Sequence, residues 1–257
     1  MNIYSWNMLY RNRELDRAFE FISKSDFDIF CLQEVPEEIL TRLRTLPFHI
    51  AYRTDSEKVF PARMLPMFNV ILSRHPITVQ NDISFDEYWH LLPWRTRFFV
   101  RFTPTQLFSR VRNRGGLYVD IQKDGRTVRV FNLHLILAHP AWRLEEFERA
   151  MMNHDPELST IVCGDFNILE MPHITPLNWM LGGRMGDALL YERERTTIEK
   201  RFLEHKLTNA LRGKVTHRLS RRQLDHILVS NSFSIRNADI LPDRIGSDHH
   251  PIHVEIA

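Results

Sequence analysis

Short apolar runs rich in β-forming residues recur along the whole chain, at residues 2–6, 28–32, 70–72, 116–121, 128–135, 160–163, 224–229 and 252–256. Most have the length of a strand rather than of a helix. Between several of them the apolar period changes to that of a helix. From Arg13 to Ile22, the residues Leu15, Ala18, Phe19 and Ile22 share one face. After His139-Pro140, Leu144, Phe147 and Met151 form a stripe, with Pro140 suited to a helix's first turn. Strands that alternate with helices and hairpins over 257 residues predict an α/β sandwich rather than a purely doubly wound sheet.

No repeat, low-complexity tract or Gly/Ser linker interrupts this order, but one stretch differs in texture. Residues 85–114 interleave Trp89, Trp94, Phe98, Phe99, Phe102 and Phe108 with Arg95, Arg97, Arg101, Arg110, Arg112 and Arg114, and no acid lies between Glu87 and Asp120. They read as an insertion in a single domain. The net charge of +2 argues against indiscriminate binding of polyanions, so any nucleic-acid surface is local. Arginine far outnumbers lysine; its planar fork matches phosphate oxygens, although genome composition produces the same bias. Cys31 and Cys163 sit inside apolar runs, as buried thiols do, and form neither a disulfide framework nor a zinc-site spacing. No run approaches the roughly 18 apolar residues of a membrane span. Residues 1–6 lack the features of a secretory leader. The expectations are a cytoplasmic location, no stable membrane insertion and no obligate protein partner.

The chemistry is concentrated where the apolar runs stop. Ile3-Tyr4-Ser5-Trp6 leads to Asn7, Ile29-Phe30-Cys31-Leu32 to Gln33-Glu34, and Val130-Phe131-Asn132-Leu133 to His134. Ile161-Val162-Cys163 leads to Gly164-Asp165-Phe166-Asn167, Leu224 precedes Asp225-His226, and Gly246-Ser247 precedes Asp248-His249. A strand end holds a side chain rigidly yet open to a crevice, the usual ligand position of α/β sheets. Any one of these residues alone reads as a turn residue, a solvated charge or a core histidine. Together they supply hard oxygen donors suited to magnesium and two imidazoles for proton transfer. Neither a Cys-based zinc set nor a Gly-rich phosphate loop is present.

In this order, Ser-Trp-Asn7, Leu-Gln-Glu34-Val, Ile-Leu-Ser-Arg-His-Pro-Ile at 71–77, Asn-Leu-His134-Leu, Gly-Asp165-Phe-Asn167, Leu-Asp225-His-Ile-Leu and Gly-Ser-Asp248-His249 resemble the endonuclease/exonuclease/phosphatase superfamily. The resemblance runs from Asn7 to Pro251. It implies one catalytic domain over 1–257, folded as a four-layer α/β sandwich of two packed mixed β-sheets flanked by helices. It also implies a metal-dependent phosphodiester hydrolase using magnesium, with manganese as the alternative. Asn7, Glu34 and Asp248 would serve the metal. Asp165 and Asn167 would orient the attacking water and the phosphate. His249, held by Asp225, would act as general base or as a charged clamp, and His134 would stabilise charge or protonate the leaving group. Whether Asp165 or the Asp225–His249 pair takes the water's proton stays open. His226 and His250 read as structural, because neighbours along a strand face opposite sides.

Departures from the family pattern bear on the substrate. Val35-Pro36 follows the metal glutamate where abasic-site endonucleases carry Thr-Lys. No acid lies between Glu57 and Asp82 to match the glutamate that supports the second histidine in pancreatic-type deoxyribonuclease, which leaves His134 without an assigned partner. Residues 85–114 suit a nucleic-acid strand, through Arg95, Arg97 and Arg101 with aromatic stacking. They equally suit an interfacial element on anionic lipid, or a covering strand with solvated arginines. A second basic group, Arg212, Lys214, His217, Arg218, Arg221 and Arg222, precedes Asp225; within it Arg218 is the candidate substrate contact. Two basic groups flanking one crevice favour a long anionic substrate. The expectation is therefore a nuclease acting on DNA, of endonuclease or 3′-end repair type. The alternatives are a sphingomyelinase-like or inositol-phosphate esterase and, last, a binding module that has lost catalysis.

Overall fold

The computed structural model describes residues 1–60, 64–102, 110–169, 171, 173–189 and 193–257. In chain order the elements are β1 (Asn2–Asn7), α1 (Leu15–Lys24), β2 (Ile29–Pro36), α2 (Glu37–Leu43), β3 (His49–Val59), β4 (Met64–Ser73), β5 (Ile77–Ser84) and α3 (Trp94–Phe102). There follow β6 (Arg110–Arg112), β7 (Gly115–Lys123), β8 (Arg126–His134), α4 (Pro140–Met151), β9 (Ser159–Asp165), α5 (Pro176–Met180) and α6 (Met185–Leu189). The last are α7 (Arg193–Glu204), β10 (Leu207–Asn209), β11 (Asp225–Ser230), β12 (Ile235–Ile240) and β13 (Ile252–Ile256).

The strands form two mixed sheets, ordered β12-β13-β1-β2-β4-β3-β6 and β10-β11-β9-β8-β7-β5. Their parallel pairs are β1–β2 and β8–β9. Parallel neighbours need a crossover, and the two helices legible in the sequence, α1 and α4, are those crossovers. Ala18, Ile22, Ile39 and Leu40 cover one outer face with Phe30, Leu32 and Leu72. Phe147, Ala150, Ile198 and Phe202 cover the other with Phe131, Val162 and Leu228. Ile3, Ile29, Cys31, Val130, Ile161, Cys163, Ile227 and Val254 fill the space between the sheets. The layers therefore run helix, sheet, sheet, helix, as the resemblance implied. Both cysteines are free and buried in this middle core.

Period-two alternation places the site. Ile3, Ser5 and Asn7 share one face of β1, as do Val128, Val130, Asn132 and His134 on β8, and Ile161, Cys163 and Asp165 on β9. Each series begins in the apolar core and ends in a polar group at one edge of the sandwich. A polar layer underlies that edge. Gln33 Nε2 donates to Asn132 Oδ1 at 2.7 Å, and Asn132 Nδ2 donates to the carbonyls of Leu32 and Val70, each at 2.9 Å, bridging the sheets.

Residues 85–102 and 110–114, the described part of this stretch, pack into this frame. Phe85, Tyr88 and Leu92 are buried, Tyr88 stacks on Trp142, and β6 extends the seven-stranded sheet by pairing Glu57 with Arg112. Around Phe98 the backbone is helical, not a covering strand. Phe102 falls in the same helix, and residues 103–109 lie outside the described residues.

Candidate active site

Asp165 stands at the centre of the six-stranded sheet's polar edge. The β8–β9 register sets it opposite His134, and the β9–β11 register sets it opposite Asp225. Gly164 before it has φ +146, and a Cβ there would lie 1.8 Å from the Leu133 carbonyl oxygen, so only glycine lets the two strand ends approach this closely. The Asp165 carboxylate is almost fully buried. Oδ2 accepts from Asn7 Nδ2 at 2.9 Å and Oδ1 from the Asn167 amide at 2.9 Å. Burial alone would raise its pKa, but the facing His249 and His134 rings and these hydrogen bonds hold it below the usual carboxylate value.

Two imidazoles point at that carboxylate from opposite sides. His249 Nδ1 lies 3.0 and 2.9 Å from the two oxygens of buried Asp225, and its Nε2 lies 3.6 Å from Asp165 Oδ2. His134 Nδ1 lies 2.6 Å from Asp55 Oδ2, and its Nε2 lies 3.8 Å from the same Asp165 oxygen and 3.9 Å from Glu34 Oε1. Desolvation opposes charge on both rings, yet the carboxylates outweigh it. His249 is pushed up to about 10 by Asp225 and Asp165, and His134 to about 9 by Asp55, Asp165 and Glu34. The facing carboxylates thus favour the charged imidazolium form of both rings.

Asp55 is the partner that sequence reading did not supply for His134. It lies within β3, is fully buried, and Asn69 Nδ2 lies 3.4 Å from its other oxygen. The sole available signal was an acid followed by serine in a polar strand that pairs with the 64–73 strand, too weak to stand out.

Glu34 reaches the crevice because β2 is irregular there. The β2–β4 register shifts between Leu32 and Val35, and Glu34 takes a left-handed φ of +52. A bulge re-aims a side chain that strict alternation would point elsewhere. Glu34 Oε2 accepts from the Tyr10 amide at 3.2 Å. Asn167, with φ +53, donates from Nδ2 to the Leu135 carbonyl at 2.9 Å. Asp248 lies at the outer rim, its side chain 52% exposed. Burial opposes the shift, but His217 and His249 hold it down to about 2. The ligand atoms that Asn7, Glu34, Asp165 and Asp248 can offer are all oxygens, since Asn7 gives its Nδ2 hydrogen to Asp165 and keeps Oδ1 as its acceptor. With Asp55 and Asp225, five carboxylates surround two imidazoles. A hard divalent cation fits this chemistry and offsets the excess negative charge.

His226 and His250 are structural, as expected. His226 is fully buried, stacks on Phe166, and has Nδ1 2.8 Å from the Leu224 carbonyl; burial takes its pKa down to about 3. His250 Nδ1 lies 2.8 Å from the Leu241 carbonyl. Among the candidate substrate contacts, Arg95 is committed elsewhere. It donates to the Trp179 and Gly183 carbonyls at 3.2 and 2.8 Å and covers the Trp179 ring, which anchors α3 to α5. This replaces the expectation that Arg95 grips substrate. Arg97 and Arg218 are exposed, and the side chain of Arg101 lies outside the described residues. Arg114, from the same stretch, is buried and supports the site: it pairs with Glu146 and donates to the His134 carbonyl at 2.9 Å.

A model of the Endonuclease/Exonuclease/phosphatase family matches residues 4–249. No curated protein matches the chain by sequence. Among solved structures, the chain is similar to an endonuclease/exonuclease/phosphatase family protein from Leptotrichia buccalis, at 13% identity and a TM-score of 0.68, covering 100% of this chain and 99% of that one. A 3′ phosphatase from Neisseria bound to product DNA hairpin is similar at 17% identity and a TM-score of 0.58, with 100% and 99% covered. A mannosyl-6-phosphatase from Bacteroides thetaiotaomicron is similar at 17% identity and 0.59, with 100% and 99% covered. At these identities the likeness shows the fold.

Proposed function

Because the chain belongs to the endonuclease/exonuclease/phosphatase family, a family of generally divalent-metal-dependent phosphate-ester hydrolases, we propose that it is a magnesium-dependent phosphodiesterase acting on DNA, as an endonuclease or in 3′-end processing. Manganese would substitute for magnesium. The observation that carries the reaction class is the convergence of His249 Nε2 and His134 Nε2 on Asp165 Oδ2, at 3.6 and 3.8 Å, beside Glu34.

Asn7, Glu34 and Asp248 would hold the metal, which when bound supplies positive charge against the phosphate's non-bridging oxygens. The remaining work falls to the protein's own groups. Asp165 and Asn167 orient the attacking water, and Asp165, kept ionised, takes its proton. His249 acts as a charged clamp on the phosphate, held by Asp225. His134, held by Asp55, faces the leaving side and passes its Nε2 proton to the departing oxygen. Asp165 is the base in this proposal because the surrounding carboxylates raise both imidazoles, to about 10 and about 9, and so favour their charged forms.

Support for a nucleic-acid substrate comes from the rim. Helix α3 packs beside α5, which follows the loop that leaves Asp165 and Asn167. It leaves Trp94 77% and Phe98 60% exposed, four residues apart, with Arg97 between them in sequence. Exposed aromatics beside arginine suit stacked bases and phosphates. Leu91, 58% exposed on the same approach, favours a second reading, an anionic lipid surface. The test offers supercoiled plasmid, an abasic duplex, single-stranded RNA and sphingomyelin vesicles, each with magnesium and with chelator. Cleavage of DNA that stops in chelator is expected. Lipid cleavage without DNA cleavage would sink the substrate, and activity that persists in chelator would sink the mechanism.

A further inference from the structure

A third histidine reaches the site from the loop between β10 and β11. Thr216 ties this loop down. Its Oγ1 accepts from the amides of Leu224 and Asp225, each at 3.0 Å, and its carbonyl accepts from the His250 amide at 2.9 Å. His217, next along the chain, bridges through its backbone to Arg222 and to His249. Its ring is buried, 4.6 Å between centroids from the ring of His249, and its Nε2 lies 3.7 Å from Asp248 Oδ2.

The orientation of His217 differs from that of its neighbours. His249 and His134 present Nδ1 to a carboxylate, which calls for a proton on Nδ1. His217 Nδ1 instead accepts from the Ser220 amide at 3.2 Å, with the Ser220 hydroxyl 3.0 Å away. A backbone amide only donates, so Nδ1 carries the lone pair, and the neutral ring bears its hydrogen on Nε2. His217, Asp248 and His249 could supply three ligand atoms within 4.8 Å of one another. To ligate through Nε2, however, His217 would have to move its proton to Nδ1 and face the Ser220 N–H with another N–H. A ligating imidazole needs the opposite pattern, with its second nitrogen donating.

We propose that His217 is a positioning residue for Asp248: its Nε2–H, fixed by the Ser220 amide, holds the half-exposed carboxylate away from His249 Nε2. The need follows from the geometry. Asp248 Oδ1 lies only 3.9 Å from His249 Nε2, the atom assigned to the phosphate. Without a competing donor the carboxylate would close on that nitrogen and displace the phosphate oxygens from it. The separation of 3.7 Å between His217 Nε2 and Asp248 Oδ2 exceeds a direct hydrogen bond, so the interaction is charge–dipole attraction that a small rotation or one bridging water completes. The inference rests on the phosphate-binding reading of His249, and its tests separate the two.

Nitrogen-15 NMR of the metal-free wild-type protein tests the tautomer without any variant. The expected spectrum has His217 protonated on Nε2 and bare on Nδ1; an Nδ1-protonated ring, or ligand-type shifts of its Nε2 on adding Mn²⁺ or Zn²⁺, overturns the proposal. Binding of inorganic phosphate by calorimetry, with and without Mg²⁺, tests the role. His217→Ala should weaken phosphate binding about 10-fold, the scale of one hydrogen bond to a charged group. His217→Gln, which keeps a donor at the reach of Nε2, should recover most of it. Unchanged phosphate affinity in a folded His217→Ala protein, or equal losses in both variants, overturns it. If wild type binds no phosphate at all, the reading of His249 has failed, whereas the tautomer still reports on His217.

Discussion

The two histidine arms of the site are near mirror images around one oxygen, yet they are built from different materials. His249 sits in a turn after Gly246, and its partner Asp225 opens β11; both belong to compact sequence motifs. His134 ends β8, and its partner Asp55 comes from the interior of β3, a strand with no motif and in the other sheet. Both arms span the two sheets: His249 comes from the turn before β13 of the seven-stranded sheet and Asp225 from β11 of the six-stranded one, just as His134 and Asp55 come from opposite sheets. The same Nε2 direction is therefore reached with a partner carried by a sequence motif, Asp225, or with one from a strand that carries none, Asp55.

The sharpest way to break this comparison is to remove the shared oxygen. Asp165→Asn should lower kcat with magnesium by about 10³-fold or more, because both arms and the water lose the same charge. A loss under 10-fold on bis(p-nitrophenyl) phosphate would mean the two imidazoles do not meet there. Next come the ring deletions. His249→Ala and His134→Ala should each cost about 10²–10³-fold, and the double variant should cost less than the product, since under the proposed mechanism the two rings act on one phosphate. The partners sharpen the comparison further: Asp225→Asn and Asp55→Asn should each cost about 10–100-fold. If only Asp225→Asn impairs turnover, the equivalence of the arms is wrong.

The pH dependence of metal-free stability separates these histidines from the structural one. His134 and His249 have folded pKa values raised to about 9 and about 10, so their contribution is fully present below about pH 6.5. It is lost as pH rises through those values. His226 works in the opposite sense. Its pKa falls to about 3, so its burial costs stability as pH drops from about 6.5 toward 3. Thermal unfolding in chelator should show both limbs. Asp55→Asn should flatten the alkaline limb while leaving the acidic one, and a variant with both limbs intact would contradict the pairing. The smallest effects belong to the rim. Arg97→Ala and Arg218→Ala should each lower the salt slope of DNA binding by about one unit without changing kcat. The committed Arg95 should instead lower thermal stability when replaced by alanine.

How much was legible follows from where each residue's constraint lies. Helices α1 and α4 and most of the long strands announced themselves through apolar periodicity, because each buries a face against a sheet or a helix. Strands β3, β5 and β12 did not. Strands β5 and β12 carry polar residues on largely exposed faces, whereas β3 buries polar ones, among them Arg53, Asp55, Ser56 and Lys58, so none shows an apolar alternation. The eight site and metal residues named from strand ends and turns all lie at the polar edge, since a motif keeps a side chain and its backbone setting together. The substrate arginines fared differently. Composition says that arginine is present, but whether a guanidinium faces solvent or two carbonyls, as Arg95 does, depends on what packs beside it.

By itself the sequence determined the family, the layered architecture and the identity of nearly every group at the polar edge, because those are properties of short segments with fixed periodicity. Tertiary structure alone decided that Asp55 holds His134, that the β2 bulge turns Glu34 into the crevice, that Arg114 supports the site from beneath, and that His217 is brought beside His249 and Asp248. Each of those depends on a contact between residues whose relation is set by sheet pairing, sheet packing or the path of a loop, and no local pattern in the chain encodes it.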